Sequence, residues 1–357
     1  MKAVVLVGGE GTRLRPLTLS TPKQMLPIVD LPMIVRVINH LATYGIEEII
    51  LSLGYRPEAF VSLLPEGRHG SFTIKHAVET EPLGTAGAIR FAADKGGIDT
   101  TFVAVNGDVL SDLDISKLIE FHIAHKAQAT LSLTPVDDPS AYGVVVTDSN
   151  SQVLSFIEKP SRETASSNWI NAGTYVLEPE VLERIQPGRA VSIEREIFPA
   201  VVNEGGLYAF PSDAYWLDTG TPSCLLRANM DLIDGTRGGP PHPNAREHSP
   251  GIWLHGSSII KGELIPPCFV GDGAVVEKGA ILERSVVGRG VHVQQNVKAS
   301  NCVLLEKSSI GEGTSIRDSI IGERAFLGAG SVISGLSVVG CDAILEPGTH
   351  LQSGRVP

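Results

Sequence analysis

The chain has 357 residues, a length that suits two domains, with 42% hydrophobic and 19% charged residues. That balance can fill a sizeable core and argues against global disorder. The formal net charge of −11 argues against nucleic acid or an anionic membrane as the main partner, although a few local Arg and Lys residues can still hold a phosphate.

The first residues, MKAVVLVGG, form an apolar run that stops at Gly8, too short for a signal sequence or a membrane span. Ala3 to Val7 reads as a buried strand. Ile34, Val37, Ile38 and Leu41 recur at helical spacing, and Gly45 suits the position past the helix end. Glu48 to Leu53, Phe102 to Val105 and Val153 to Ile157 read as further strands. This alternation predicts a Rossmann-like α/β domain, a mainly parallel sheet with flanking helices. Ligands of such sheets lie at the carboxyl ends of the strands, which places Gly8 and Asp108 where chemistry is expected.

The run from Asp234 to Pro243, DGTRGGPPHP, lacks periodicity and reads as a linker that continues to about Ser249. Beyond it, aliphatic residues recur every six positions: Val270, Val276, Leu282; Val287, Val293, Ala299; Leu304, Ile310, Ile316; then Ile321, Leu327, Ile333, Val339, Leu345, Leu351. The early triplets start 17 apart (287−270, 304−287, 321−304). One inward aliphatic per short strand is the mark of a β-helix. The expected division is therefore 1–233 for an α/β domain, 234–251 for a linker and 252–357 for the coil. Cys224, Cys268, Cys302 and Cys341 are widely spaced, with no CxxC and no Cys/His zinc pattern, as expected of a reduced cytoplasmic protein.

After the first strand comes Gly8-Gly9-Glu10-Gly11-Thr12-Arg13-Leu14-Arg15-Pro16. Glycines there let backbone N–H groups approach phosphate oxygens, and Arg13, Arg15 and Lys23 add charge. The stretch is neither a Walker A loop nor the dinucleotide fingerprint, since no Gly-Lys-Ser/Thr follows and Leu14 stands where the third glycine belongs. Read alone, the glycines fit a plain strand–helix turn equally well. Asp108 reads as a loop cap or as a metal carboxylate, and Asp218 as an Asx turn before Gly220 or as a second one. Glu158 and Lys159 at a strand end fit a solvated rim. Thr85 with Gly84 and Gly87 fits a helix start, Glu194 and Glu196 a solvated or structural role, and His122 and His125 a surface or packing role.

GGEGTRLRPLT followed by PKQMLP resembles the signature of the sugar-1-phosphate nucleotidylyltransferases. EPLGTAGAI (81–89), NGD (106–108), YGVVV (142–146), FIEKP (156–160), INAGTYV (170–176), SIEREIFP (192–199) and WLDTGTP (216–222) agree in order. The likeness covers nearly the whole chain, including the hexad coil, which it implies is left-handed. It implies transfer of a nucleotide from an NTP to a sugar 1-phosphate with Mg²⁺, and within the family the branch that uses GTP and mannose 1-phosphate. Glucose-1-phosphate thymidylyl, uridylyl or adenylyl transfer is the alternative. A bifunctional nucleotidyl- and acyltransferase is a further one, although the hexads leave little room for a catalytic loop.

By the same resemblance Leu6, Gly8, Gly9, Gly11, Thr12, Arg13, Lys23, Gly84, Thr85 and Asp108 bind the nucleotide. Gly143, Glu158, Lys159, Asn171 and Gly173 bind the sugar phosphate, and Asp108 and Asp218 hold the metal. Arg13, Lys23, Asp108, Lys159 and Asp218 carry catalysis. Their presence argues against a non-catalytic regulatory subunit. The coil is expected to serve self-association into a homo-oligomer.

Overall fold

A computed structural model describes residues 1–357. They form two compact units: Met1–Gly9 with Arg36–Trp216, and Glu10–Val35 with Leu217–Pro357. This partition differs from the sequence-based division. The segment 10–35 and the helix Pro222–Ile233 group with the coil, and 245–249 within the expected linker forms a strand paired with Ile252–His255.

The first unit is built on a ten-stranded mixed sheet. Its main path runs 153–158, 143–147, 169–177, 102–106, 2–7, 48–53, 72–78, 67–69. The four strands 102–106, 2–7, 48–53 and 72–78 are parallel, and 169–177 enters antiparallel beside 102–106. Val4, Ile50, Ala104 and Ala77 fill one layer of its core together with Ile89 and Ala92 of the helix Gly84–Gly96. Strand Lys2–Val7 lies between Glu48–Leu53 on one side and Phe102–Asn106 on the other, so its carboxyl end is a topological switch point, the place where such sheets bind ligands. The edge there is tight: the N–H of Gly54 donates to Val7 O and that of Gly107 to Leu6 O.

The second unit is a parallel β-helix with the helix Pro222–Ile233 and the segment 10–35 packed on it. Lys298–Leu304 pairs in register with Ser315–Ile321, which pairs in turn with Val332–Ser334 and Val338–Val339. The predicted inward aliphatics from Val270 to Leu345 are all buried, and Leu351 is half-buried. Architecture and period agree with the left-handed hexapeptide coil. All four cysteines are free, and burial pushes the thiols of Cys268 and Cys302 up to about 11 and about 12. No helix is long and apolar enough to cross a membrane.

Candidate active site

The expected site residues fall into two sets, one in each unit. In the first, Leu6, Gly8 and Gly9 lie at the carboxyl end of the central strand, and Gly9 takes φ +88°, a conformation that favours glycine. A Cβ on Gly8 or Gly9 would meet nothing within 4 Å, so packing does not require glycine at either position. Asp108 follows the neighbouring strand Phe102–Asn106.

Asn106 was not among the sequence candidates, and it shapes this edge. Gly173 sits at φ +76°, and a Cβ there would lie 2.5 Å from Asn106 Nδ2. Asn171 holds the same bend, accepting from Gly173 N at 3.0 Å and donating through Nδ2 to the Tyr175 hydroxyl at 2.9 Å. The strand Trp169–Leu177 shifts register against Ala129–Pro135 between Asn171 and Tyr175, which leaves Gly173 outside that ladder.

Gly143 pairs with Glu158 across two antiparallel strands. A side chain at 143 would collide with Phe156 and with Glu158 Oε2, so glycine makes room for that carboxylate. Lys159, at φ +51°, places its Nζ 3.7 Å from Glu158 Oε1 while remaining largely exposed. Burial raises the pKa of Glu158 above the usual carboxylate value, and the charge of Glu194 adds to this.

Glu194 takes the structural role expected of it. Its Oε2 accepts from Thr85 Oγ1 at 2.8 Å and from Ser192 Oγ at 2.7 Å, while Thr85 Oγ1 accepts from Ile193 N at 2.8 Å. The Thr85 hydroxyl is thus committed inside the protein. Gly84 and Gly87 permit this clasp, since a Cβ at either would lie 2.6 Å from a backbone carbonyl, of Val191 and Arg189 respectively. The π-helical turn Ile193–Ile197, capped by Ser192, carries Glu194 to the clasp; the only sequence signal was its place in SIEREIFP. The expected packing roles hold for the helix histidines: His122 is buried between Thr130 and Glu178, and His125 stacks on Phe121.

In the second unit, Gly11 to Leu14 form a tight turn. Gly11, at φ +61°, accepts through its carbonyl from Leu14 N and from Thr18 Oγ1. Thr12 and Arg13 lie exposed on the turn. Lys23 is 7% exposed and places Nζ 3.3 Å from Asp218 Oδ1. Arg13 Nη2 stands 3.7 Å from Asp218 Oδ2, and the Arg13 guanidinium lies across Gly220, where a Cβ would strike it. Asp218 Oδ1 also accepts from Gly220 N at 2.8 Å. Of the two sequence readings of Asp218, the Asx turn is present, and the same carboxylate pairs with the side chains of Lys23 and Arg13.

That carboxylate suits a magnesium ion in kind. It is a hard oxygen donor, only partly covered, and its Oδ2 faces Arg13 at ion-pair rather than hydrogen-bond distance. No cluster of three or more His, Cys, Asp or Glu side chains is present, so a metal here would rest on few protein ligands and on substrate oxygens.

The family model described as nucleotidyl transferase matches residues 2–235, and one described as the GMPPB C-terminal domain matches 264–356. The chain belongs to the nucleotidyl transferase family, as its signature motifs implied. It is 43% identical to the mannose-1-phosphate guanylyltransferase of Mycobacterium tuberculosis over 82% of this chain and 81% of that one. It is 37% identical to the mannose-1-phosphate guanyltransferase of Schizosaccharomyces pombe over 100% and 95%. Among solved structures, a putative glucose-1-phosphate thymidylyltransferase from Bacillus anthracis superposes with a TM-score of 0.59 at 28% identity, covering 64% of this chain and 94% of that one.

Proposed function

We propose that the chain transfers a guanylyl group from GTP to mannose 1-phosphate, giving GDP-mannose and pyrophosphate. The observation that carries this reading is the pairing of buried Lys23 and of Arg13 with Asp218, next to a glycine-rich turn, in a chain whose full-length relatives are named for that reaction.

A nonbridging oxygen of the sugar 1-phosphate attacks the α-phosphorus of the nucleotide in line. The bond from that phosphorus to the bridging oxygen of the β-phosphate breaks, and pyrophosphate leaves with the electron pair. The attacking group is ionised at neutral pH, so the protein needs no general base. Its task is to position two anions and offset the developing charge. Gly8, Gly9, Gly11 and Thr12 present backbone to the phosphates, and Arg13 and Lys23 stabilise the departing pyrophosphate. Lys159 positions the attacking phosphate, while Glu158, Asn171, Gly143 and Gly173 bind the sugar. With the Thr85 hydroxyl committed to Glu194 and Ile193, the backbone at Gly84–Thr85 is left to meet the base. The family resemblance gives Asp108 and Asp218 as the carboxylates that would hold Mg²⁺, whose charge would offset that of the phosphates. The exposed Phe326, Val332 and Ile344 on the coil support self-association, which sedimentation over a concentration range would read.

The decisive test is a panel of GTP, dTTP, UTP and ATP against mannose 1-phosphate and glucose 1-phosphate, followed by pyrophosphate release. The highest kcat/KM is expected for GTP with mannose 1-phosphate, since base-edge contacts discriminate by up to ~10⁴. Preference for dTTP with glucose 1-phosphate would overturn the assignment and favour the thymidylyl alternative, the activity named for the superposed Bacillus structure.

A further inference from the structure

We infer that Arg355, in the last strand of the coil, is a positioning residue for the phosphate turn; the inference rests on the reading that residues 8–23 hold the nucleotide. A single guanidinium nitrogen, Arg355 Nη1, donates to Arg13 O and to Arg15 O, each at 3.1 Å. These contacts join residues 342 and 340 positions apart in the chain, inside one compact unit.

The hydrogen bonds of the turn show why those two carbonyls matter. The N–H groups of Leu14 and Arg15 are spent on Gly11 O and Thr12 O. Gly11 O takes Thr18 Oγ1 as well. The carbonyls of Arg13 and Arg15 take no part in those bonds, and Pro16 offers no N–H beyond them. Two protons on one planar nitrogen bridge both, which fixes the Arg13–Leu14 and Arg15–Pro16 peptide planes around buried Leu14. Fixing the Arg13 carbonyl fixes the backbone that aims its side chain at Asp218. A hydrogen bond from a charged donor to a carbonyl is stronger than one from a neutral amide.

The donor is itself held. Arg355–Val356 pairs with Val338–Val339, Gly340 N donates to Val356 O at 2.7 Å, and Pro16 packs against Gly340. The turn is thereby tied to the last strand of the coil. Arg15 is occupied elsewhere, with Glu10 at 2.8 Å, so it does not substitute for the brace.

The test compares full-length Arg355→Ala, Arg355→Lys, Arg324→Ala and Lys23→Ala. Arg324 pairs with Asp342 on the coil surface and controls for general coil damage. Arg355→Ala is expected to lower kcat and raise KM for the NTP, together about 10- to 100-fold in kcat/KM, because misplaced charge costs rate steeply. KM for the sugar 1-phosphate should stay unchanged. Amide exchange at Leu14 and Arg15 should quicken while Ser315–Ile321 keeps its protection. Arg355→Lys, able to reach one carbonyl, should recover part of the loss, and Arg324→Ala should turn over normally. Wild-type kinetics and exchange in Arg355→Ala, or an equal loss in Arg324→Ala, would overturn the inference. If Lys23→Ala is inactive while Arg355→Ala is normal, only the brace is wrong. If Lys23→Ala turns over normally, the nucleotide reading of the turn itself fails.

Discussion

The hexad coil and the turn at 10–23 lie in the same compact unit and are held by opposite means. In the coil each inward aliphatic repeats the environment of one a single turn away, and strands such as Lys298–Leu304 and Ser315–Ile321 pair in unbroken register. Stability there is a sum of similar local terms, so one weak member is diluted. The turn has no such redundancy. Lys23 reaches Asp218 across 195 positions, and Arg355 reaches Arg13 across 342. Each of these contacts is made once, and no neighbour repeats it.

This contrast can be broken at either end. The largest effect is expected from Lys23→Ala or Asp108→Asn: a fall of ~10²–10³ in kcat, as for loss of a preorganised charge contact, with circular dichroism unchanged. Near-normal turnover in either would sink its catalytic role. Next comes Gly173→Ala. Its positive φ and the contact with Asn106 impose about 1–3 kcal/mol of local strain, read as a lower melting temperature and a raised KM for the sugar 1-phosphate. A variant with wild-type KM would remove Gly173 from the sugar site. Ile316→Val, deep in the coil, should cost about 0.5–1.5 kcal/mol by denaturant titration and leave kcat alone. A change in kcat would mean that the coil is not the passive repeat described here.

Acidification probes Glu158. Burial and Glu194 raise its pKa, so it takes up its proton at a higher pH than an ordinary glutamate. The carboxylate proposed to bind the sugar is therefore lost early as pH falls, and KM for the sugar 1-phosphate should rise before kcat does. The stability contribution has the opposite sense: the tighter-held proton favours the fold at low pH, and that gain is lost as pH climbs through the raised value. A KM flat down to the ordinary glutamate range would contradict the shift. The smallest effect concerns the thiols. At pH 8 a thiol-alkylating reagent should modify Cys224 and Cys341 ahead of the buried Cys268 and Cys302, followed by mass spectrometry. Early labelling of Cys302 would show that the coil opens.

The strands Lys2–Val7, Glu48–Leu53 and Phe102–Asn106 and the coil's inward residues were legible from the sequence, because each rests on a short repeating pattern of apolar side chains that local geometry converts directly into burial. The family motifs named the charged residues. The sequence could not show that Asp218 closes a turn and pairs two cations at once, that Thr85 spends its hydroxyl on Glu194, or that Asn106 sits beneath Gly173. Nor could it assign the segment 10–35 to the coil's unit, where Arg355 meets it. Those facts depend on side chains far apart in sequence meeting at hydrogen-bond range. No periodicity encodes such meetings, since a single contact between distant residues leaves no repeating trace, and only the folded chain brings them together.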